Sequence, residues 1–306
     1  MRTAALCRQR KRHGGGTRMR LENAFLSVEI SEMGAEVTRI YDKENECDIL
    51  WEGNPKYWKR HSPVLFPNVG KTYRNTVRIQ GVPYPTTQHG FARDNVFTCI
   101  KAAQDSASFM LLSNDEMKEV YPYDFELHIN YRLKGKELDV EWDVKNRTTE
   151  PMYFTIGGHP AFRFAKAEEK KEDYYLKFPG KTELNYILVD PASGTGVPDQ
   201  IYPMKLEKEM YPVSEQMFEK DALIFDGQLE EVWLCRKDQS PYVGLRCKGF
   251  PNFGIWSVKD APFVCLEPWI GRCDNVGFEG EISEKPGINR LEGGKNFTRS
   301  YQIIVA

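Results

Sequence analysis

Long apolar runs are missing from this 306-residue chain. The longest stretch drawn only from Ala, Val, Ile, Leu, Met, Phe, Trp, Tyr and Cys is four residues, as in Phe109 to Leu112. A spanning helix needs ~20 mostly apolar residues, so none is encoded and no membrane partner is expected. A dominant charge is missing too. The chain sets 42 Lys/Arg against 44 Asp/Glu, a net −2, and lacks the basic footprint of a nucleic-acid-binding protein. Histidine is scarce. The five present show no HxH, HxxH or HExxH spacing, so a histidine-rich metal site has no support. There is no GxGxxG after a strand, no Walker loop and no GxSxG elbow. Nucleotide cradles and activated-serine chemistry are therefore unsupported, and no cofactor or metal is expected.

The seven cysteines, at 7, 47, 99, 235, 247, 265 and 273, form no CxxC and are odd in number. They argue against a disulfide framework and for reduced thiols in a reducing, cytoplasmic setting. Asn146-Arg147-Thr148 and Asn296-Phe297-Thr298 read as chance sequons. Residues 1–20 carry seven Lys/Arg, a Gly14-Gly15-Gly16 run and no acid. Without an apolar h-region they are not a signal peptide. They read as a disordered basic tail over residues 1–19, ahead of a single domain over 20–306. Without the seven cations of residues 1–20 the remainder holds 35 basic against 44 acidic groups.

From Arg20 onward the texture is β. Leu26–Ile30, Phe125–Leu133 and Leu138–Val144 alternate apolar and polar residues at period two, which puts one face in a core and one outward. Leu133-Lys134-Gly135-Lys136-Glu137-Leu138 reads as a hairpin turn. Further strands are expected near 95–101, 107–113, 151–156, 183–189, 222–226, 231–236, 242–247, 253–258, 263–267 and 299–305. Short helices are expected only at Pro55–Trp58 and Ser214–Phe218. Turn signals every ~10 residues, without a βαβ rhythm, predict a large antiparallel all-β sandwich or barrel. The charged stretch Lys166–Asp173 reads as a solvated loop.

Chemistry concentrates at a few places. His13 lies in the tail, His61 in a loop and His128 on the polar face of a strand. His89 and His159 each adjoin glycine, in Gln88-His89-Gly90-Phe91-Ala92-Arg93-Asp94 and Thr155-Ile156-Gly157-Gly158-His159-Pro160-Ala161-Phe162, where backbone or ligand can approach closely. A buried histidine bonded to backbone fits either context as well. Glu267 ends an apolar run, Val264-Cys265-Leu266-Glu267-Pro268-Trp269. Burying that carboxylate is costly unless it is paired or used. Trp269 offers an aromatic face to a ring. A local salt bridge from Glu267 to Arg272 is the plainer alternative.

Five ordered motifs, Trp51-Glu52-Gly53-Asn54-Pro55-Lys56-Tyr57-Trp58, Pro63-Val64-Leu65-Phe66-Pro67-Asn68-Val69-Gly70, His89-Gly90-Phe91-Ala92-Arg93-Asp94, Gly158-His159-Pro160-Ala161-Phe162 and Leu266-Glu267-Pro268-Trp269, resemble the aldose 1-epimerase (mutarotase) family, in particular its LacX-like branch. The resemblance spans about residues 20–306. It implies a galactose mutarotase-like β-supersandwich that interconverts the α and β anomers of an aldose. It implies His159 as general acid and Glu267 as general base, with His89 and an aspartate binding sugar hydroxyls. Asp221 is the match for the aspartate, with Asp226 close by. Lys71 stands where the branch commonly has arginine, and it loses the planar fork.

Mutarotation opens a hemiacetal and recloses it on the other carbonyl face. An acid and a base suffice, and the expectation is that they sit on opposite sides of the ring. Histidine, with a reference pKa of ~6.5, suits the acid, and an ionised glutamate, its pKa raised from ~4.3 by a Trp/Pro-lined pocket, suits the base. The expected partner is a free hexose. A hexose 6-phosphate would need a basic cluster, for which Lys71, Arg74, Arg78 and Arg93 are the candidates. A non-catalytic carbohydrate-binding protein would not need the His159 and Glu267 pair.

Overall fold

Period-two alternation builds the largest sheet. Phe125–Lys134 and Glu137–Asn146 each bury alternate side chains. A turn at Lys134–Glu137 holds them in one continuous antiparallel register, from Phe125 opposite Asn146 to Lys134 opposite Glu137. These strands sit inside a nine-stranded sheet that runs Met210–Pro212, Tyr175–Lys177, Glu231–Cys235, Pro241–Arg246, Asn296–Val305, Glu137–Asn146, Phe125–Lys134, Ser106–Leu112 and Thr98–Ala102. The structure is a computed structural model that describes residues 11–12 and 17–306.

A second sheet carries the chemistry. Its path is Leu223–Asp226, Asn252–Trp256, Phe263–Ile270, Ile156–Gly158 and Val64–Leu65, with Ala161–Arg163 also paired to Phe263–Ile270. A five-stranded sheet, including Thr17–Glu22, Leu26–Ser31 and Val37–Asp42, adds its apolar face to the same main core. The two larger sheets pack face to face. A Cβ added at Gly158 would stand 2.7 Å from the Tyr301 hydroxyl on the nine-stranded sheet. The expected all-β sandwich is thus the fold.

Phe263–Ile270 is buried at all eight positions, because both its faces are covered. Its even residues Val264, Leu266 and Ile270 join the main core. Its odd residues point the other way. Phe263 and Cys265 pack in a small cluster with Trp51 and Ala161, and Trp269 in another with Leu65, Val69 and Ile224. Alternation therefore places Cys265, Glu267 and Trp269 on one face.

Several expectations need correction. Pro55–Trp58 is a turn rather than a helix. The Tyr57 and Trp58 N–H groups both donate to the Asn54 carbonyl, while the Asn54 side chain accepts from the Lys56 N–H, an Asx arrangement that competes with helix propagation. Ser214–Phe218 contains a 3₁₀ turn at Glu215–Phe218. A short helix at Asp115–Lys118, capped by Asn114, was not expected. Strand pairing extends ahead of Arg20, where the β texture was expected to begin, with Lys11 opposite Arg18, Arg12 opposite Thr17, Arg18 opposite Ser31 and Met19 opposite Ile30. Lys11–Arg12 is also a strand. The rest of the basic tail, with Cys7 and His13, lies outside the described residues. Cys47, Cys235, Cys247, Cys265 and Cys273 are free thiols.

The Lys166–Asp173 stretch is not simply solvated. Lys171 is fully buried, and its ammonium donates to Glu215 at 2.8 Å and to the carbonyls of Val258 and Ala261 at 2.9 and 3.0 Å. It ties the 258–261 turn to the sheet. Lys171→Met keeps the volume but takes the buried donor from the Ala261 carbonyl and the Glu215 carboxylate, and should destabilise the fold by ~1–3 kcal/mol. Denaturant unfolding measures this, and an unchanged midpoint would show that the ammonium is dispensable.

Candidate active site

Two cavities flank the Pro67–Tyr73 segment. The smaller, about 310 Å³, is lined by Tyr73, Arg74, Arg78, Tyr121 and Phe278 among others. The larger, about 910 Å³, collects His89, Arg93, His159, Asp221, Glu267 and Trp269, together with Lys71. All seven residues singled out from the sequence therefore face one space.

His159 follows the Ile156–Gly158 strand, and Glu267 lies in the neighbouring Phe263–Ile270 strand. The two glycines before His159 have packing reasons. A Cβ at Gly157 would come within 2.5 Å of the Trp269 indole, and one at Gly254, opposite Glu267, within 2.4 Å of the other end of that ring. Trp269 thus lies over two side-chain-free positions, flat against the sheet beside Glu267. In a strand, glycine marks such a close approach.

His159 Nε2 stands 3.2 Å from Glu267 Oε2. Both residues are buried, at 5% and 1% exposure. Neither His159 Nδ1 nor Glu267 Oε2 makes a hydrogen bond of good geometry. Burial drives the His159 pKa down to about 3, helped by the positive field of Arg93 and, less, Arg60, while a backbone hydrogen bond opposes it. Burial pushes the Glu267 carboxyl well above its ordinary value, and the Asp221 charge adds to this. The Trp269 indole N–H opposes that rise from nearby, without the alignment of a formed hydrogen bond. The carboxyl is raised, as a Trp/Pro-lined pocket was expected to do, whereas the expectation of an imidazole titrating near neutrality is corrected. Burial favours a neutral imidazole beside a protonated carboxyl.

Aromatic rings fix the imidazole. Trp58 stacks on it at 4.7 Å and 27°, and Trp256 and His89 meet it edge-on at 5.5 and 5.4 Å. The His89 Nδ1 accepts from the Gly70 N–H at 3.1 Å, which assigns its proton to Nε2. Burial, then the neighbouring His159, push its pKa well down, so it is neutral. Its backbone is left-handed, with φ +68°.

The two candidate aspartates differ in their partners. Asp226 is held by Arg272 at 3.1 Å and by Asn252 at 2.7 Å, which also disposes of a Glu267–Arg272 bridge. Asp221, exposed and left-handed at φ +74°, lines the larger cavity. The expected cationic cluster, by contrast, is split. Arg74 pairs with Glu279 at 2.7 Å and Arg78 donates to the Gly81 carbonyl, both at the smaller cavity. Lys71 and Arg93 stay at the larger one, joined by Lys59, Arg60, Lys220 and Lys259. Arg93 donates to the Gln88 carbonyl, and burial beside Arg60 lowers its pKa to about 10. His61 sits in a loop against Glu36, and His128 beside Glu126, both away from the cavity.

Sequence reasoning missed Trp58, Trp256 and Cys265 as neighbours of the pair. Trp58 lies within a family-like motif. Trp256 and Cys265 are directly opposite each other on paired strands, so the strand pattern with its register would have placed them.

Residues 17–210 match the family described as Aldose 1-epimerase. The chain is 31% identical to the chromosomal LacX protein of Lactococcus lactis, over 93% of this chain and 98% of that protein. A crystal structure of a galactose mutarotase-related enzyme from Lactobacillus acidophilus superposes with a TM-score of 0.90 at 30% identity, covering 94% and 97% of the two chains. A shorter match, 30% identical over 37% of this chain and 40% of its counterpart, is to a putative glucose-6-phosphate 1-epimerase of Escherichia coli. With this match over most of its length and a site built on two of its sheet strands, the chain belongs to the aldose 1-epimerase family.

Proposed function

We propose that this chain interconverts the anomers of a free hexose, with His159 and Glu267 as its acid/base couple. The observation that carries this reading is the 3.2 Å approach of two buried titratable groups at a sugar-sized cavity. The oxygens that exchange protons in mutarotation, O1 and the ring oxygen, are bonded to the same carbon. A side-by-side pair matches them better than groups on opposite faces of the ring, which was the expectation from sequence.

The couple holds one proton throughout. With the cyclic sugar bound, the proton is on His159 and Glu267 is ionised. His159 gives its proton to the ring oxygen while Glu267 takes that of the O1 hydroxyl, and the C1–ring oxygen bond breaks. The open-chain aldehyde then faces a neutral imidazole and a protonated carboxyl. After rotation about C1–C2 the transfers reverse, and the ring closes as the other anomer. Burial favours the neutral pair, so the cavity leans toward the open-chain half of the cycle. His89 Nε2–H and the Asp221 carboxylate are the proposed holders of sugar hydroxyls, with Lys71, Arg93 and the face of Trp269 completing the contact.

Positioned proton transfer typically contributes ~10²–10⁴-fold. His159→Asn and Glu267→Gln should each lower anomer interconversion at least ~10²-fold with the fold retained. Polarimetry on freshly dissolved α-glucose and α-galactose decides this, and full activity in either variant removes the assignment.

The pH profile gives a second check. A depressed imidazole pKa means the second proton is taken up only as pH falls toward about 3. A raised carboxyl pKa means the single proton is lost only well above the ordinary carboxylate range. The kcat/KM profile should therefore show no acid limb at the reference histidine value of ~6.5. A limb centred there would show that His159 titrates as an exposed imidazole.

Asp221→Ala should raise KM with kcat largely kept, because it removes binding rather than proton transfer. Steady-state kinetics that showed kcat collapsing at constant KM would make Asp221 a participant in the chemistry.

A second reading, a hexose 6-phosphate as substrate, is favoured by the six cations around the cavity and by the E. coli relative. Comparing kcat/KM for glucose and glucose 6-phosphate separates the two, and a preference for the phosphate that disappears in Lys71→Ala would select the second.

A further inference from the structure

Beyond the sugar chemistry, one cluster of donors stands out. Among the described residues, His159, Cys265 and Glu267 form the group of three metal-capable side chains whose donor atoms all lie within 4.8 Å of one another. All three are buried, at 5%, 0% and 1% exposure. The Glu267 Oε2 and His159 Nδ1 atoms are without hydrogen-bond partners. Cys265 and Glu267 share a strand face two residues apart, and His159 and Glu267 also line the open cavity.

Such a set of one imidazole, one thiolate and one carboxylate is a borderline-soft donor set of the kind Zn²⁺ takes, with three protein ligands and a fourth position facing a cavity. Bonds of ~2.0–2.3 Å to a tetrahedral ion place its donors about 3.3–3.6 Å apart. The His159–Glu267 separation of 3.2 Å is already close to that.

We propose that a zinc-class divalent cation binds His159, Cys265 and Glu267 and reversibly switches the enzyme off. This rests on the reading of the cavity as the site of anomer interconversion. On binding, the cation displaces the Cys265 thiol proton and the one proton held by the His159/Glu267 couple, and both go to solvent. Two positive charges enter as two protons leave, so the cluster's net charge is unchanged and burial does not penalise the exchange. The bound ion occupies the lone pairs of both members of the couple and leaves no proton to transfer. The metal-free protein is the active form.

The test uses full-length protein freed of metal by chelation. Co²⁺ serves as the spectroscopic probe and Zn²⁺ as the inhibitor. Expected is a thiolate-to-Co²⁺ charge-transfer band at one equivalent, and loss of glucose mutarotation on adding Zn²⁺ that a chelator reverses. Cys265→Ala should keep its metal-free rate within about 2-fold, lose the band, and need at least ~10-fold more Zn²⁺ for half-inhibition, whereas Cys273→Ala should keep the band. If Cys265→Ala fails to fold, Cys265→Ser takes its place, and the wild-type band still decides. No band in the wild type overturns the proposal, as does equal Zn²⁺ sensitivity in wild type and Cys265→Ala. A protein that shows the band but never interconverts anomers retains the metal site and refutes the catalytic reading instead, so the two failures are distinguishable.

Discussion

Two titratable side chains brought to 3.2 Å and buried at the wall of a cavity define this molecule. In water an imidazole and a carboxylate would each titrate freely. Here burial disfavours the charged form of both, and the pair lowers its energy by holding one proton in common. That condition demands much of the surroundings. The wall must be largely apolar around the pair, and Trp58, Trp256 and Trp269 line it. It must also hold the imidazole still, and rings contact it on one face and from two edges.

The sandwich supplies these conditions through one strand. Phe263–Ile270 is covered on both faces, so its alternation divides two environments rather than core from solvent. Its even residues bind the strand into the main core. Of its odd residues, Glu267 and Trp269 line the cavity, while Phe263 and Cys265 pack in the cluster beside it. The neighbouring strands contribute glycine at Gly157 and Gly254, the positions against which Trp269 lies. Buried Lys171 anchors the turn that carries Val258 and Lys259 to the rim. Rigidity at the site thus comes from sheet packing and not from a network of hydrogen bonds between the reacting groups.

This division explains what could be read in advance. Where one face meets core and the other solvent, as in Phe125–Lys134, alternation is plain and the strands were predictable from it. The motifs around His89, His159 and Glu267 were visible as residue types out of place for a surface. Relations fixed by three-dimensional packing were not visible. Nothing linear tells that Asp226 is taken by Arg272 while Asp221 stands at the cavity. Nor does it tell that Arg74 and Arg78 turn to a different cavity from Lys71 and Arg93. Lys171 looked like part of a solvated run because its partners are carbonyls from 87 and 90 residues away. The imidazole's usual pKa was a reasonable start from residue type alone, but desolvation is a property of the neighbours and not of the residue.

The closeness of His159 and Glu267 has two consequences that share one cause. Mutarotation acts on two oxygens of one carbon, so donors on opposite walls would serve it poorly, and a pair a hydrogen-bond length apart serves it well. A pair that close, with Glu267 Oε2 and His159 Nδ1 unpartnered, also has the spacing of two ligands on a tetrahedral ion. Cys265 then completes a third corner because it precedes Glu267 by two residues on the same strand face. A strand that must present an unpartnered carboxylate to the sugar presents its i−2 neighbour from the same side, and residue identity there decides whether the cavity accepts only protons or also a cation. Alanine at that position would leave the acid/base couple intact and remove the third donor. The proposed susceptibility to metal is therefore separable from the proposed catalysis, although both assign roles to the same two side chains.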